Sequence, residues 1–143
     1  MKKNTDKKYL LNLPSYNSGK ENAKLLRVTI SNSCTKFDFG YSTMWFYING
    51  GWVRIARDTF IQIKGKDEKL NLLRADNIPM APTQHHFKSN KDWLYFSLYF
   101  PAIPLQDCTL DLIEMDTSSK DVFNYFNIDL KIKNAVEILN YTE

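Results

Sequence analysis

At 143 residues and 16.8 kDa, with 43% hydrophobic residues, the chain has the length of one ordinary domain and enough apolar content for a two-layer core without disulfide or metal staples. No stretch approaches the roughly 20 apolar residues of a membrane-spanning helix, and Tyr9–Pro14 is too short for the apolar part of an export signal. The formal charge of +3 does not point to nucleic acid: Lys2, Lys3, Lys7, Lys8, Lys20 and Lys24 face only Asp6 and Glu21, leaving 13 basic against 14 acidic side chains beyond residue 24, whereas a nucleic-acid binder carries its positive charge as a patch on the folded body.

Residues 1–23 are polar and include Pro14, Ser15, Asn17, Ser18 and Gly19. They read as a flexible or loosely docked basic lead-in, with a single β-sandwich domain over 24–143. From Lys24 the apolar period is two. Leu26, Val28 and Ile30 alternate with Arg27 and Thr29, then Phe37, Phe39 and Tyr41 with Lys36 and Asp38. Ser31-Asn32-Ser33 between them is turn chemistry, which makes the two runs neighbouring strands. Met44, Phe46 and Ile48 share one phase and Trp45 and Tyr47 the other. After Asn49-Gly50-Gly51, suited to a tight hairpin or to a bulge in one kinked strand, Val53 and Ile55 oppose Trp52 and Arg54.

Strands are also expected at Phe60–Ile63 and Leu70–Leu73, around a charged turn at Gly65. Residues 75–91, with Pro79, Pro82, His85 and His86, form the longest expected loop. Trp93–Phe100 is a strand with a different use for each face. Pro101–Leu105 is extended by its prolines and reads as a crossing between sheets. Leu110–Met115 is a strand, and Phe126, Ile128, Leu130 and Ile132 alternate with Asn127, Asp129 and Lys131. Asn134–Glu143 is left open between fraying, extending that strand and a helical turn. About eight short strands with no long helix predict an all-β, antiparallel immunoglobulin-like sandwich, with a closed barrel as the alternative.

Gly51–Ile55, Thr59–Ile61, Phe100–Pro104, Leu110–Glu114 and Phe126–Leu130 in succession resemble a β-sandwich domain of unknown function in exported bacterial proteins, one that often accompanies a thioredoxin-like domain. The resemblance implies a sandwich fold and a noncatalytic accessory or binding role. Met1 as the native start would place the chain in the cytoplasm; a removed export signal would place it in the periplasm or at the cell surface.

No cofactor and no metal site are expected. Adjacent His85 and His86 point to opposite sides of an extended chain, and no Cys or His stands at ligand spacing from them. Cys34 and Cys108, 74 positions apart, read as two buried free thiols, although a bridge is permitted. Asp111, Glu114 and Asp116 are the carboxylates a hydrolase would need, but Asp111 and Glu114 fall on opposite strand faces, and charges that keep a sheet edge from aggregating explain them more simply. The amphipathic aromatics Trp45, Tyr47, Trp52, Trp93, Tyr95 and Tyr99 occupy the phase opposite the purely apolar residues. Where their strands are neighbours they make a platform of indole and phenol groups; otherwise the termini lie over that face, or Trp52 and Trp93 fill the core. The expectation is a noncatalytic protein-interaction module, with a carbohydrate-binding module as the alternative and a hydrolase as the third.

Overall fold

The computed structural model describes residues 4–20, 22–44, 50–115 and 122–142, with the side chains of 4–6 and 139–142 left out. The described strands are β1 (Asn4–Asn12), β2 (Asn17–Ser18), β3 (Ala23–Ile30), β4 (Thr35–Ser42), β5 (Trp52–Val53), β6 (Phe60–Ile63), β7 (Leu70–Asn71), β8 (Arg74–Asp76), β9 (His85–His86), β10 (Trp93–Phe100), β11 (Cys108–Ile113), β12 (Tyr125–Leu130) and β13 (Val136–Thr142). Helical geometry among the described residues is confined to one 3-10 turn, Ile132–Asn134.

One sheet has six strands in the order β13-β1-β3-β4-β10-β8, and a second has five in the order β2-β12-β11-β6-β7. All their pairings are antiparallel. The sheets are open, not closed into a barrel, and the architecture is consistent with a β-sandwich. A separate two-stranded ribbon pairs β5 with β9.

The core lies between the two larger sheets, where apolar residues of alternating phase are removed from water. Phe37, Phe39, Phe96, Leu98 and Phe100 of the six-stranded sheet are buried with Ile61, Leu110, Leu112, Tyr125, Ile128 and Leu130 of the other. Tyr125 is the main rivet. Its ring meets Phe39 at 5.3 Å and Tyr16 at 5.2 Å, and its hydroxyl donates to the Ala23 carbonyl at 2.9 Å. Burial raises the phenol's pKa well above its usual value, so it stays a neutral donor.

The lead-in expected over residues 1–23 gives way at Asn4 to β1, which lies between β13 and β3, while Asn17–Ser18 pairs with β12. Leu10 faces Val136 and Thr29 across the ladders, and Leu11 is buried. The polar composition of β1 hides a strand whose cross-strand partner is the far end of the chain. Two bulges correct the expected phase. In β3 the register shifts between Leu25 and Arg27, so Leu25 enters the core and Leu26 turns out. In β12, Asn127 at φ 55° absorbs an extra residue against β11, which sends Tyr125 inward and leaves Phe126 exposed. The expected long loop at 75–91 contains β9 and the last two residues of β8.

Candidate functional site

Alternation along β10 puts Leu94, Phe96, Leu98 and Phe100 in the core and turns Trp93, Tyr95, Ser97 and Tyr99 to the outer face of the six-stranded sheet. Trp93 and Tyr95 are 54% and 63% exposed, and their rings run nearly parallel, 17° apart with centroids at 6.4 Å. Gly40 stands directly across from Tyr95. A Cβ there would meet Tyr95 Cε1 at 3.2 Å and Leu26 Cδ1 at 3.4 Å, so the missing side chain is what lets the phenol ring lie flat over β4. An aromatic covering a strand glycine is a known way to pin register. Asn77 Nδ2 donates to the Tyr95 carbonyl at 2.6 Å and fixes the strand just past the end of β8.

Four residues along from Tyr95, Tyr99 has a different environment. The Arg74 guanidinium stands 4.0 Å from its ring centroid and the Lys36 ammonium 5.7 Å, each of them also near a carboxylate: Arg74 with Asp76 at 3.5 Å, Lys36 with Asp38 at 3.6 Å. Ser97 hydroxyl donates to Asp38 at 2.5 Å between the two aromatic groups. The outer face therefore has a flat aromatic end at Trp93 and Tyr95, a polar row at Ser97, and a ring held between cations at Tyr99.

Trp52 lies elsewhere. It stands in the β5–β9 ribbon opposite His86, 47% exposed, with the Arg54 guanidinium 4.9 Å from its ring. The ribbon depends on Gly50, whose φ of 82° and missing side chain admit the Phe87 carbonyl; a Cβ would sit 2.1 Å from that oxygen. Trp45 and Tyr47 lie outside the described residues. Among the described residues the expected platform thus divides into Trp93, Tyr95 and Tyr99 on one sheet and Trp52 on another. Among the described residues neither terminus covers β10: β1 and β13 occupy the far edge of the six-stranded sheet, with β3 and β4 between them and β10. Neither Trp52 nor Trp93 fills the core.

The carboxylates have structural partners. Asp111, on the outer face of β11, pairs with Lys64 at 2.9 Å and accepts from the Asn127 backbone N–H at 2.9 Å, stabilising the β12 bulge. Glu114 is buried, which corrects its expected place as a strand-end surface charge. Its two oxygens accept from Phe123 N–H at 2.8 Å and Ala56 N–H at 2.9 Å, and buried Lys20 adds a nearby positive charge. Burial raises the Glu114 pKa; the backbone bonds and Lys20 pull the other way but count for less. Asp116 lies outside the described residues.

His85 is half-buried edge-on to Phe87 at 4.9 Å while His86 is exposed, so the pair diverges. No group of three or more His, Cys, Asp or Glu among the described residues is placed to hold a metal ion. Cys34 and Cys108 are free and half-buried, and burial raises the Cys108 thiol pKa. No helix among the described residues is long and apolar enough to cross a membrane.

Residue type alone does not single out Gly40, Lys36, Arg74 or Arg54. A glycine inside an otherwise aromatic strand is the one available signal, since such a glycine marks a close approach. The chain was compared with protein-family models, curated proteins and solved structures, and none matches it.

Proposed function

We propose that the protein is a noncatalytic binding module that engages another protein through the outer face of β10. The observation that carries this reading is the exposed, near-parallel Trp93–Tyr95 pair, with Tyr95 seated over Gly40. Large amphipathic rings contribute much contact area at little cost in conformational entropy, which is why Trp and Tyr dominate interface hot spots. Here Tyr95 lies against the β4 backbone at Gly40 and Trp93 stacks on Tyr95, so the two rings form one surface. A noncatalytic role is supported by the commitments of the acids: Asp111 and Glu114 each hold backbone N–H groups in place. An accessory role also fits the resemblance to a β-sandwich domain of unknown function in exported bacterial proteins.

The test is capture from lysate of the native host with immobilised protein, repeated with the Trp93→Ala/Tyr95→Ala variant and with Trp52→Ala. A partner retained by wild type and Trp52→Ala, and lost by the double variant, is the expected result. A partner held equally by all three would sink the proposal. The flatness of the pair gives a second reading some support, because a sugar ring stacks on such a surface. Tryptophan fluorescence that responds to a glycan, with the response abolished by Trp93→Ala, would favour carbohydrate over protein.

A further inference from the structure

The β5–β9 ribbon presents a second surface, built on different chemistry from the β10 platform. Trp52 and His86 are cross-strand partners and so share its outer face. Arg54, two residues beyond Trp52, lies on that face with its guanidinium over the indole. Phe87 N–H donates to the Gly51 carbonyl at 2.8 Å, so the two chains stay side by side as far as exposed Lys88.

The arginines are held by neutral groups. Arg54 Nη1 donates to the Pro82 carbonyl at 3.3 Å and Arg57 Nε to the Ala81 carbonyl at 3.2 Å. Among the described residues no carboxylate stands within ion-pair distance of either. Asp92, the acid nearest Lys88 in the chain, is committed to the backbone N–H groups of Lys88 and Ser89 at 3.0 and 3.2 Å. The carbonyl anchors orient the guanidinium forks and leave other N–H donors of each fork available; buried Glu114 interacts electrostatically with Arg54 from a distance, its two oxygens turned to the Ala56 and Phe123 N–H groups. The resulting surface carries the Arg54 guanidinium directly on a half-exposed indole, with exposed Lys88 farther along the ribbon and exposed Arg57 three residues beyond Arg54.

We infer that this ribbon face docks an acidic peptide segment carrying an apolar side chain beside its carboxylates. Charge complementarity sets the sign of the partner. With the guanidinium over the ring, the half of Trp52 that stays exposed is room for a single apolar side chain. The patch is only a few cations wide on a chain whose residues 25–143 carry no basic excess, which suits a short acidic segment better than the long phosphate track of a nucleic acid.

The experiment is fluorescence anisotropy with a labelled decapeptide of alternating Glu and Phe, its Gln-for-Glu counterpart, and a labelled single-stranded oligonucleotide of the same length. Expected are binding of the acidic peptide alone, weakening as salt is raised, and a loss of about fivefold in Lys88→Glu and in Arg57→Gln. Trp52→Leu weakens binding further, and Trp93→Ala/Tyr95→Ala leaves it unchanged. Lys88→Glu keeps the test independent of folding, because only the backbone of Lys88 makes a hydrogen bond recorded for that residue. Equal binding of the Gln peptide, indifference to Lys88→Glu and Trp52→Leu, or tighter binding of the oligonucleotide would each overturn the inference.

Discussion

Along β10 the two faces of one strand use the same side-chain chemistry in opposite ways. Phe96 and Phe100 are 3% and 0% exposed, Phe96 stacked on Phe39 at 5.1 Å and edge-on to Phe123 at 5.7 Å. Trp93 and Tyr95, one residue out of phase, are more than half exposed. Inside, Phe96 packs between Phe39 of the neighbouring strand and Phe123 just ahead of β12, and Phe100 packs edge-on to Phe37, so removing either ring leaves a void. Outside, Trp93 rests on Tyr95, and Tyr95 in turn on Gly40. Aromatic content thus indicates burial on one face and availability on the other, and the phase of the strand decides between them.

The strongest way to break that contrast is to truncate both faces. Phe96→Ala should cost about 3–5 kcal/mol, the transfer term plus the cavity left between the sheets. Trp93→Ala should change stability by less than about 1 kcal/mol, in the range of exposed substitutions away from the core. Urea unfolding of the two variants measures both. Similar losses would mean that the outer face carries packing weight comparable to the core, and the binding reading would lose its physical basis.

A smaller effect separates buried polar from buried apolar contacts. Glu114→Gln keeps the volume, but an amide nitrogen must then face either the Phe123 or the Ala56 N–H, at a cost of about 1–3 kcal/mol. The pH dependence carries the sharper signature. Burial raises the native pKa of Glu114 above its ordinary 4.5, so over that window the native state holds a proton that the unfolded chain releases. The Glu114 contribution is therefore most favourable below the ordinary value and declines as pH rises through the raised one. The stability margin of wild type over Glu114→Gln should shrink with rising pH. A margin that grows instead would mean that the two backbone hydrogen bonds outweigh burial.

The period-two pattern sufficed for β4, β6, β10 and β11, because their inward residues are apolar without interruption. It failed where a bulge changes parity. Leu25 and Leu26 are both apolar, so nothing in residue type says which enters the core, and at Phe126 only Asn127, a residue tolerant of positive φ, hints at the slip. β1 was hidden because its lysines look like a solvated tail, and its pairing with β13 joins positions more than 120 residues apart. Of the candidate aromatics, the exposure of Trp93 and Tyr95 follows from phase. The separation of Trp52 does not, because β5 and β9 are two-residue strands with no period to read, joined across a loop by the close approach at Gly50.

The subtlest prediction concerns geometry rather than composition. Gly40 does not have a positive φ, so alanine fits its backbone, and the lost unfolded-state entropy should stabilise by about 0.4–1 kcal/mol. Against this, the new Cβ would sit 3.2 Å from Tyr95 Cε1, and an exposed ring is free to swing away. The two effects nearly cancel, leaving the melting temperature of Gly40→Ala close to wild type while the Trp93–Tyr95 pair loses its flat seating. Affinity for the partner captured through this face should then fall although both aromatic residues are still present. Unchanged affinity would mean that the partner reads the rings individually and that Gly40 serves strand packing alone.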